Sequence, residues 1–225
     1  MFTGLIEATG TILEIVPSRR ATGPTRITLS APAIAPRLRI GDSVAVSGVC
    51  LTALDVTLTT FSADLAEETI ARTSLTRLGA GAVVNLELPT PAGAPLGGHV
   101  VQGHVDGVGT LVIVEPVNPQ DEPTTDWRMR FCVPSHLSKY IVPQGSITVD
   151  GISLTVAGIL GDVVSVAIIP HTYAVTTIHN LRPGSPINIE VDVLAKYAER
   201  QGSQRAPVRR VEWTVTEDYL ISNGY

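Results

Sequence analysis

The chain carries two copies of one pattern, and this duplication constrains the fold more than any other feature. Phe2-Thr3-Gly4-Leu5-Ile6-Glu7-Ala8-Thr9-Gly10-Thr11-Ile12 lies over Val101-Gln102-Gly103-His104-Val105-Asp106-Gly107-Val108-Gly109-Thr110-Leu111 with Gly4/Gly103, Gly10/Gly109 and Thr11/Thr110 identical. Further on, Ser43-Val44-Ala45-Val46-Ser47-Gly48-Val49-Cys50-Leu51-Thr52 lies over Ser146-Ile147-Thr148-Val149-Asp150-Gly151-Ile152-Ser153-Leu154-Thr155. In that register about 13 of about 45 positions from 43 to 87 are identical without a gap, against roughly 3 expected from average usage. A period of roughly 100 residues is too long for a solenoid or propeller, so each copy is a domain. The 225 residues accommodate two such domains. Related domains imply related pockets, and the positions at which the copies differ are the place to look for chemistry.

Strand signals fill both halves. The first reads as strands at Leu5–Ile15, Thr25–Ser30, Ser43–Ser47, Leu51–Val56, Thr59–Ala63 and Val83–Leu88. The second reads as strands at Val105–Glu115, Trp127–Val133, Ser146–Val149, Leu154–Ile159, Val163–Ile169 and Ile187–Val191. Six short, β-branched, turn-punctuated strands per half predict an all-β protein of two tandem antiparallel barrels. Short helical inserts are expected at Ala35–Leu38, Asp64–Arg72 and Ser135–Tyr140. The Pro- and Gly-rich stretch from Pro89 to Gly98 marks the boundary, giving domains 1–97 and 98–192 and a tail, 193–225. In the tail, Val193–Gln201 reads as a helix with Leu194, Tyr197 and Ala198 on one face, suited to an oligomer contact or to packing on its own barrel. Gly202–Arg210 reads as a linker, and Thr214-Val215-Thr216-Glu217 as the capping box of a last helix closed near Gly224.

Composition narrows the classes. A net charge of −5 argues against nucleic acid as a partner. Cys50 and Cys132 lie in different copies without metal-ligand spacing, so neither a disulfide framework nor a metal site is expected. No run of about 18 apolar residues suggests a membrane span, and no export signal precedes the first strand. A cytoplasmic setting is the expectation.

Four strings together resemble the riboflavin synthase family. They are the opening Met1-Phe2-Thr3-Gly4-Leu5-Ile6-Glu7, the turn Gly48-Val49-Cys50-Leu51-Thr52, the segment Gly98-His99-Val100-Val101-Gln102-Gly103-His104-Val105-Asp106-Gly107, and Asp150-Gly151-Ile152-Ser153-Leu154-Thr155. Their order and spacing on a duplicated chain make the resemblance specific, and it covers nearly the whole length. It implies Greek-key barrels of the lumazine-binding type, each holding one 6,7-dimethyl-8-ribityllumazine. It also implies a C-terminal helix that assembles a homotrimer, and it admits association with lumazine synthase. The implied reaction needs no cofactor and no metal. Two lumazines exchange a four-carbon unit, giving riboflavin and 5-amino-6-(ribitylamino)uracil, with the pair meeting between the first barrel of one subunit and the second of its neighbour.

The resemblance also implies site residues. For the first pocket these are Phe2, Gly4, Leu5, Ile6, Ser43, Cys50, Leu51, Thr52, Asp64, Leu65, Ala66, Glu67, Glu68 and Thr69. For the second they are Gly103, His104, Val105, Gln144, Ser153, Leu154, Thr155, Ile169, Pro170, His171, Thr172, Tyr173 and Ala174. Such a site works by holding two flat heterocycles face to face, and orientation of this kind supplies effective molarities of roughly 10⁵ M or more. The copies differ at Cys50/Ser153, Leu5/His104 and Ser47/Asp150, so the pockets are expected to divide donor from acceptor. Cys50 would add to a lumazine carbon or hydrogen-bond beside it. His104 is the candidate proton carrier, histidine being the side chain that titrates near neutrality, and His99 is expected to shape the interface. Ser153 offers a hydroxyl, and Asp192 a carboxylate near the reacting pair. Asp64 and Glu68 are candidates for ribityl hydroxyls. Gln144 stands where the family commonly has Lys, so its contact is expected to be peripheral, with Lys139 or another subunit supplying a cation.

Two other readings compete. A lumazine- or flavin-binding antenna protein would use the same barrels without catalysis, but its relatives lose the polar residues of the second pocket that this chain keeps. A reductase flavin domain would continue into a nucleotide domain, and no G-x-G-x-x-G or P-loop string follows.

Overall fold

A computed structural model describes residues 1–17, 24–121, 124–204 and 222. The first half contains β1 (Ala8–Val16), β2 (Thr25–Ser30), β3 (Ser43–Val46), β4 (Val49–Thr52), β5 (Thr60–Leu65), helix α1 (Glu67–Arg72) and β6 (Val83–Glu87). The second contains β7 (Gly107–Pro116), β8 (Trp127–Cys132), β9 (Ser146–Val149), β10 (Ile152–Leu160), β11 (Val163–Ile168), helix α2 (Pro170–Val175) and β12 (Pro186–Val191), followed by helix α3 (Val193–Gln204). The two sheets have matching strand orders, β4-β3-β6-β1-β2-β5 and β10-β11-β8-β7-β12-β9, all antiparallel. The second closes by full pairing of β10 with β11. In the first, a single bridge between Leu54 and Ser62 joins the chain after β4 to β5.

Period-two alternation explains each barrel's core. Trp127, Met129 and Phe131 of β8 point inward between exposed or half-buried neighbours, as the pleat requires. Ile12, Ile27, Leu29, Phe61 and Leu86 fill the first barrel, and Leu111, Met129, Phe131, Ile147 and Ile189 fill the second. The register slips at equivalent places, between Ile12 and Glu14 and between Leu111 and Ile113. A bulge there coils the strand and lets a small barrel close.

β6 and β12 depart from the alternation, being buried on both faces. Val84 and Leu86 face one core, while Asn85 and Glu87 are buried without joining it. Asn188 and Glu190 repeat this on β12. These polar faces meet between the barrels. Asn85 donates to the Asp150 carbonyl at 3.0 Å and accepts from the Thr177 N–H at 2.9 Å. Asn188 donates to the Ser47 carbonyl at 2.9 Å and accepts from the Ser74 N–H at 2.7 Å. Each amide is thus completed by the other half. The two-residue turns of β3–β4 and β9–β10 touch on the same quasi-twofold axis. Ser47, Gly48, Asp150 and Gly151 all have positive φ, the backbone of a type I′ hairpin.

The expected strands and the insert at Ser135–Tyr140 are present with shifted ends, and three differences have physical causes. Strand pairing starts at Ala8 and Gly107 rather than Leu5 and Val105, because the residues before them leave their own barrels. The expected helix at Asp64–Arg72 begins only at Glu67, since Asp64 and Leu65 still pair with Arg26 and Thr25. α2 was not expected: its Pro170 fits a helix's first turn but reads in sequence as a strand breaker. α3 runs on to Gln204, so Gly202 is helical rather than part of a linker. The expected helix from Thr214 to Gly224 lies outside the described residues apart from Ser222. No described helix is long and apolar enough to cross a membrane.

A β-carbon on Gly48 would lie 2.7 Å from the Gly151 N, and one on Gly151 equally close to the Gly48 N. Gly48→Ala and Gly151→Ala should each cost about 2 kcal/mol or more. Gly158→Ala, with nothing within 4 Å, should shift stability by less than about 0.5 kcal/mol. Urea unfolding midpoints compare the three.

Candidate functional site

The segment before each barrel does not stay with it. Phe2 and Val101 exchange backbone hydrogen bonds of 2.8 and 3.1 Å, so the two segments run antiparallel between the barrels. From there they cross. The Gly4 carbonyl accepts the N–H of Ser153 on β10, and the Gly103 carbonyl accepts the N–H of Cys50 on β4, both at 2.8 Å. Ile6 then packs on the second core and Val105 on the first. The approach is close enough to exclude any side chain. A β-carbon on Gly4 would lie 2.6 Å from the Ser153 Cβ, and one on Gly103 2.7 Å from the Cys50 Cβ, with both glycines at φ +77°.

This corrects the grouping by repeat. Gly4–Ile6 joins Ser153–Thr155, and Gly103–Val105 joins Cys50–Thr52. Each cradle therefore has a wall from one barrel and an arm from the other. Such an exchange leaves sequence order within each copy unchanged, so the motifs could not reveal it.

Buried carboxylates hold the arms. Glu87 accepts the Thr3 N–H at 2.6 Å, the Thr3 hydroxyl at 2.9 Å and the Gly4 N–H at 3.0 Å. Glu190 accepts the N–H groups of Gln102, Gly103 and His104 at 2.8, 3.0 and 3.1 Å. Burial raises the pKa of Glu87 and raises that of Glu190 to about 7, opposed by these donors. Nothing in the resemblance pointed to Glu87, Glu190, Asn85 or Asn188. The signal was nevertheless present, as Asn-x-Glu recurs at the end of both copies.

The remaining residues sort by exposure. On the walls, Cys50 and Ser153 are half-buried, and Thr52 and Thr155 are exposed. Leu51, Leu65 and Leu154 point into the cores, leaving only backbone to a ligand. Phe2 is wholly buried with Ala45 and Val101 behind Cys50. Leu5 and His104 are exposed on the arms. The Asp64 carboxylate is held by Arg26 at 2.8 Å, and Glu68 by Arg72. Ser43 pairs with Thr52 at the edge of β3. Ala66, Glu67 and Thr69 form the turn into α1 and its start, and Ile169, Pro170, His171, Thr172 and Ala174 the matching turn into α2. On α2 itself, Tyr173 stacks on Trp127 with centroids 3.6 Å apart. Gln144 is an exposed turn residue at φ 64° where the first copy has Gly41 at φ 94°. Its N–H bonds the Val156 carbonyl, as Gly41's bonds that of Ala53. Lys139 is paired with Glu199 at 3.0 Å. The Ser47/Asp150 difference sits in the buried turns, where each side chain accepts a backbone N–H from Asn85 or Asn188.

His99, expected only to shape the interface, places Nδ1 2.8 Å from the Ser153 hydroxyl. Burial lowers its pKa, and the nearby Asp192 works against that. A neutral imidazole can accept the Ser153 proton. Asp192 also accepts the Leu194 N–H at the start of α3. Nothing equivalent reaches Cys50 among the described residues. Clefts of about 370 and 550 Å³ flank the arms, beside Thr3 and Leu5 in one case and Gln102 and Lys139 in the other. Among the described residues no group of three or more His, Cys, Asp or Glu is placed to hold a metal.

A sequence profile of the lumazine binding domain matches residues 3–89 and again 102–192. The riboflavin synthase of Bacillus subtilis is 39% identical over 225 residues, covering 100% of both chains. That of Mycobacterium bovis is 42% identical over 205 residues, covering 89% of this chain and 97% of its own. The chain belongs to the riboflavin synthase family. Among solved structures, LumP complexed with 6,7-dimethyl-8-(1'-D-ribityl) lumazine superposes with a TM-score of 0.73 at 23% identity, over 85% of this chain and 99% of that one. At that identity the likeness concerns the fold alone.

The carboxyls buried between the barrels make stability depend on pH. Asp150 is fully buried and its pKa rises from 3.8 to about 7, opposed by the Asn188 N–H. Between the ordinary carboxylate range and about pH 7 the folded chain holds protons on Asp150 and Glu190 that the unfolded chain has released. Stability therefore falls as pH rises through that window. The melting temperature should drop between pH 5 and pH 8, and Asp150→Asn, which keeps an acceptor for Asn188, should make that drop smaller.

Proposed function

We infer that the chain catalyses the riboflavin synthase reaction on two molecules of 6,7-dimethyl-8-ribityllumazine. One gives up four carbons and leaves as 5-amino-6-(ribitylamino)uracil, and the other becomes riboflavin. The products together contain every atom of the two substrates, so the exchange itself consumes no oxidant or reductant. What carries this reading is full-length likeness to riboflavin synthases combined with two cradles alike in backbone and unlike in side chains.

The roles follow from the walls and arms. Each cradle offers backbone donors and acceptors at strand edges, suited to a heterocycle whose rim has fixed polarity. The Cys50 cradle, with Thr52 and the His104 arm, holds the molecule that receives carbon. There the thiol adds to the ring or hydrogen-bonds beside it, and His104 carries the proton. The Ser153 cradle holds the donor, with its hydroxyl set by His99 and Asp192 near enough to influence that imidazole. Holding two rings in contact removes much of the entropic barrier, several kcal/mol at effective molarities of roughly 10⁵ M.

Leu194 and Tyr197 on α3 are 67% and 63% exposed, apolar surface that its own barrel leaves uncovered. We assign it to a homotrimer contact that brings the Cys50 cradle of one subunit to the Ser153 cradle of the next. Association with lumazine synthase belongs to the same reading. The cytoplasm suits two free thiols, Cys50 and Cys132.

Purified protein mixed with the lumazine should develop flavin absorbance, whereas an antenna protein would bind the lumazine and form none. His104→Ala should lower kcat about a hundredfold. A near-normal rate for Cys50→Ser in single-turnover experiments would exclude covalent addition by sulfur.

A further inference from the structure

Glu87 and Glu190 are each 3% exposed, and each spends its carboxyl oxygens on the backbone that forms one side of a cradle. We propose that they are positioning residues acting across the barrels. Glu190, on the last strand of the second barrel, sets the arm that closes the Cys50 cradle of the first. Glu87, on the last strand of the first barrel, sets the arm over Ser153 of the second. The proposal rests on the reading of the two cradles as substrate sites.

Three consecutive N–H groups, those of Gln102, Gly103 and His104, converge on the two oxygens of Glu190. This convergence fixes the arm where Gly103 has φ +77°, and the carbonyl of that residue receives the Cys50 N–H. The carboxylate and the cysteine are thus joined through a single residue of backbone. Glu87 reaches Ser153 in the same way through Gly4.

The side-chain chemistry is specific. Above about pH 7, where Glu190 is ionised, its carboxylate has two acceptor oxygens and no donor, so it can receive all three N–H groups, and the measurements below are made at pH 8. A carboxamide of the same size turns an NH₂ toward backbone donors and releases part of the arm. A shift of about 1 Å in a group that positions a reactant costs roughly a hundredfold in rate. Because Gly103 lies against the Cys50 Cβ, the same shift also uncovers the thiol.

The experiment uses Cys132→Ser, which leaves Cys50 as the only thiol of a chain with two cysteines. Reaction of Cys50 with an aromatic disulfide reagent is followed under native conditions. Glu190→Gln should speed it by about tenfold, corresponding to about 1.4 kcal/mol, while Glu87→Gln should leave it within about twofold. With the lumazine as substrate both variants should lose about a hundredfold in kcat, with KM changed by less. Glu190→Asp, which keeps two acceptor oxygens on a shorter stem, should fall between Gln and the parent in both measurements.

An unchanged thiol rate in folded Glu190→Gln overturns the proposal, as does equal acceleration by Glu87→Gln. If Glu190→Gln fails to fold, the same thiol comparison in Glu190→Asp decides. Failure of both to fold would assign Glu190 to the barrel interface alone and overturn the proposal too. A parent protein with no turnover would sink the enzymatic reading yet leave the thiol comparison intact.

Discussion

Asn85 and Glu87 on β6, with Asn188 and Glu190 on β12, bury two amides and two carboxylates between the barrels, and the placing of both arms depends on satisfying them. The amides are completed by backbone of the opposite half, the carboxylates by the arm that leads into their own half. A buried polar group left without a partner costs about 1–3 kcal/mol, against a net gain of about 0.5–1.5 kcal/mol for each bond made. The interface is therefore stabilised less by what the bonds add than by what would be lost if one half withdrew. Neither barrel can be finished alone, although each has its own apolar core.

Satisfying these groups places the arms, and the arms place the site. Once Glu87 and Glu190 have taken the N–H groups of an arm, its carbonyl is directed at the neighbouring barrel, and only glycine permits the contact. Gly48 meets Gly151 on the quasi-twofold axis, and the close approaches of Gly4 to Ser153 and of Gly103 to Cys50 are related by it. Close packing of backbone on backbone leaves no slack for a wall to move independently of its arm. That rigidity suits a reaction whose catalyst mainly has to hold two rings in register.

The sequence made some of this legible and concealed the rest for a definite reason. Strand number, barrel class and the motif-bearing walls followed from periodicity and duplication, because side-chain alternation is a local property. Cys50 and Ser153 were readable as a matched pair because they occupy one place in a gapless repeat. The crossing of the arms was not readable: exchange between two like halves preserves every local pattern in each. Glu87 and Glu190 could have been found, since a glutamate that recurs on a strand otherwise built for burial calls for a partner. His99 was underestimated because its role depends on the Ser153 hydroxyl, 54 positions away. Asp64 was read without its partner, because only the fold brings Arg26 to it.

Duplication also explains how one small barrel can serve a reaction between two identical molecules. A single binding site would present both substrates with the same surroundings, and nothing would decide which one gives carbon and which receives it. Two copies of one cradle keep the backbone pattern that recognises the shared ring system. Substitution at a few positions then breaks the equivalence. Among the many positions at which the copies differ, some lie in the proposed cradles: a thiol against a hydroxyl at Cys50 and Ser153, an alkyl chain against an imidazole at Leu5 and His104, and a second imidazole, His99, bonded to Ser153. The elements held in common, Asn-x-Glu on the last strand and glycine on the arm, are those that set geometry. Identity at these positions keeps the two cradles alike in backbone, and the unlike side chains beside them are what would let the two proposed sites treat identical molecules differently.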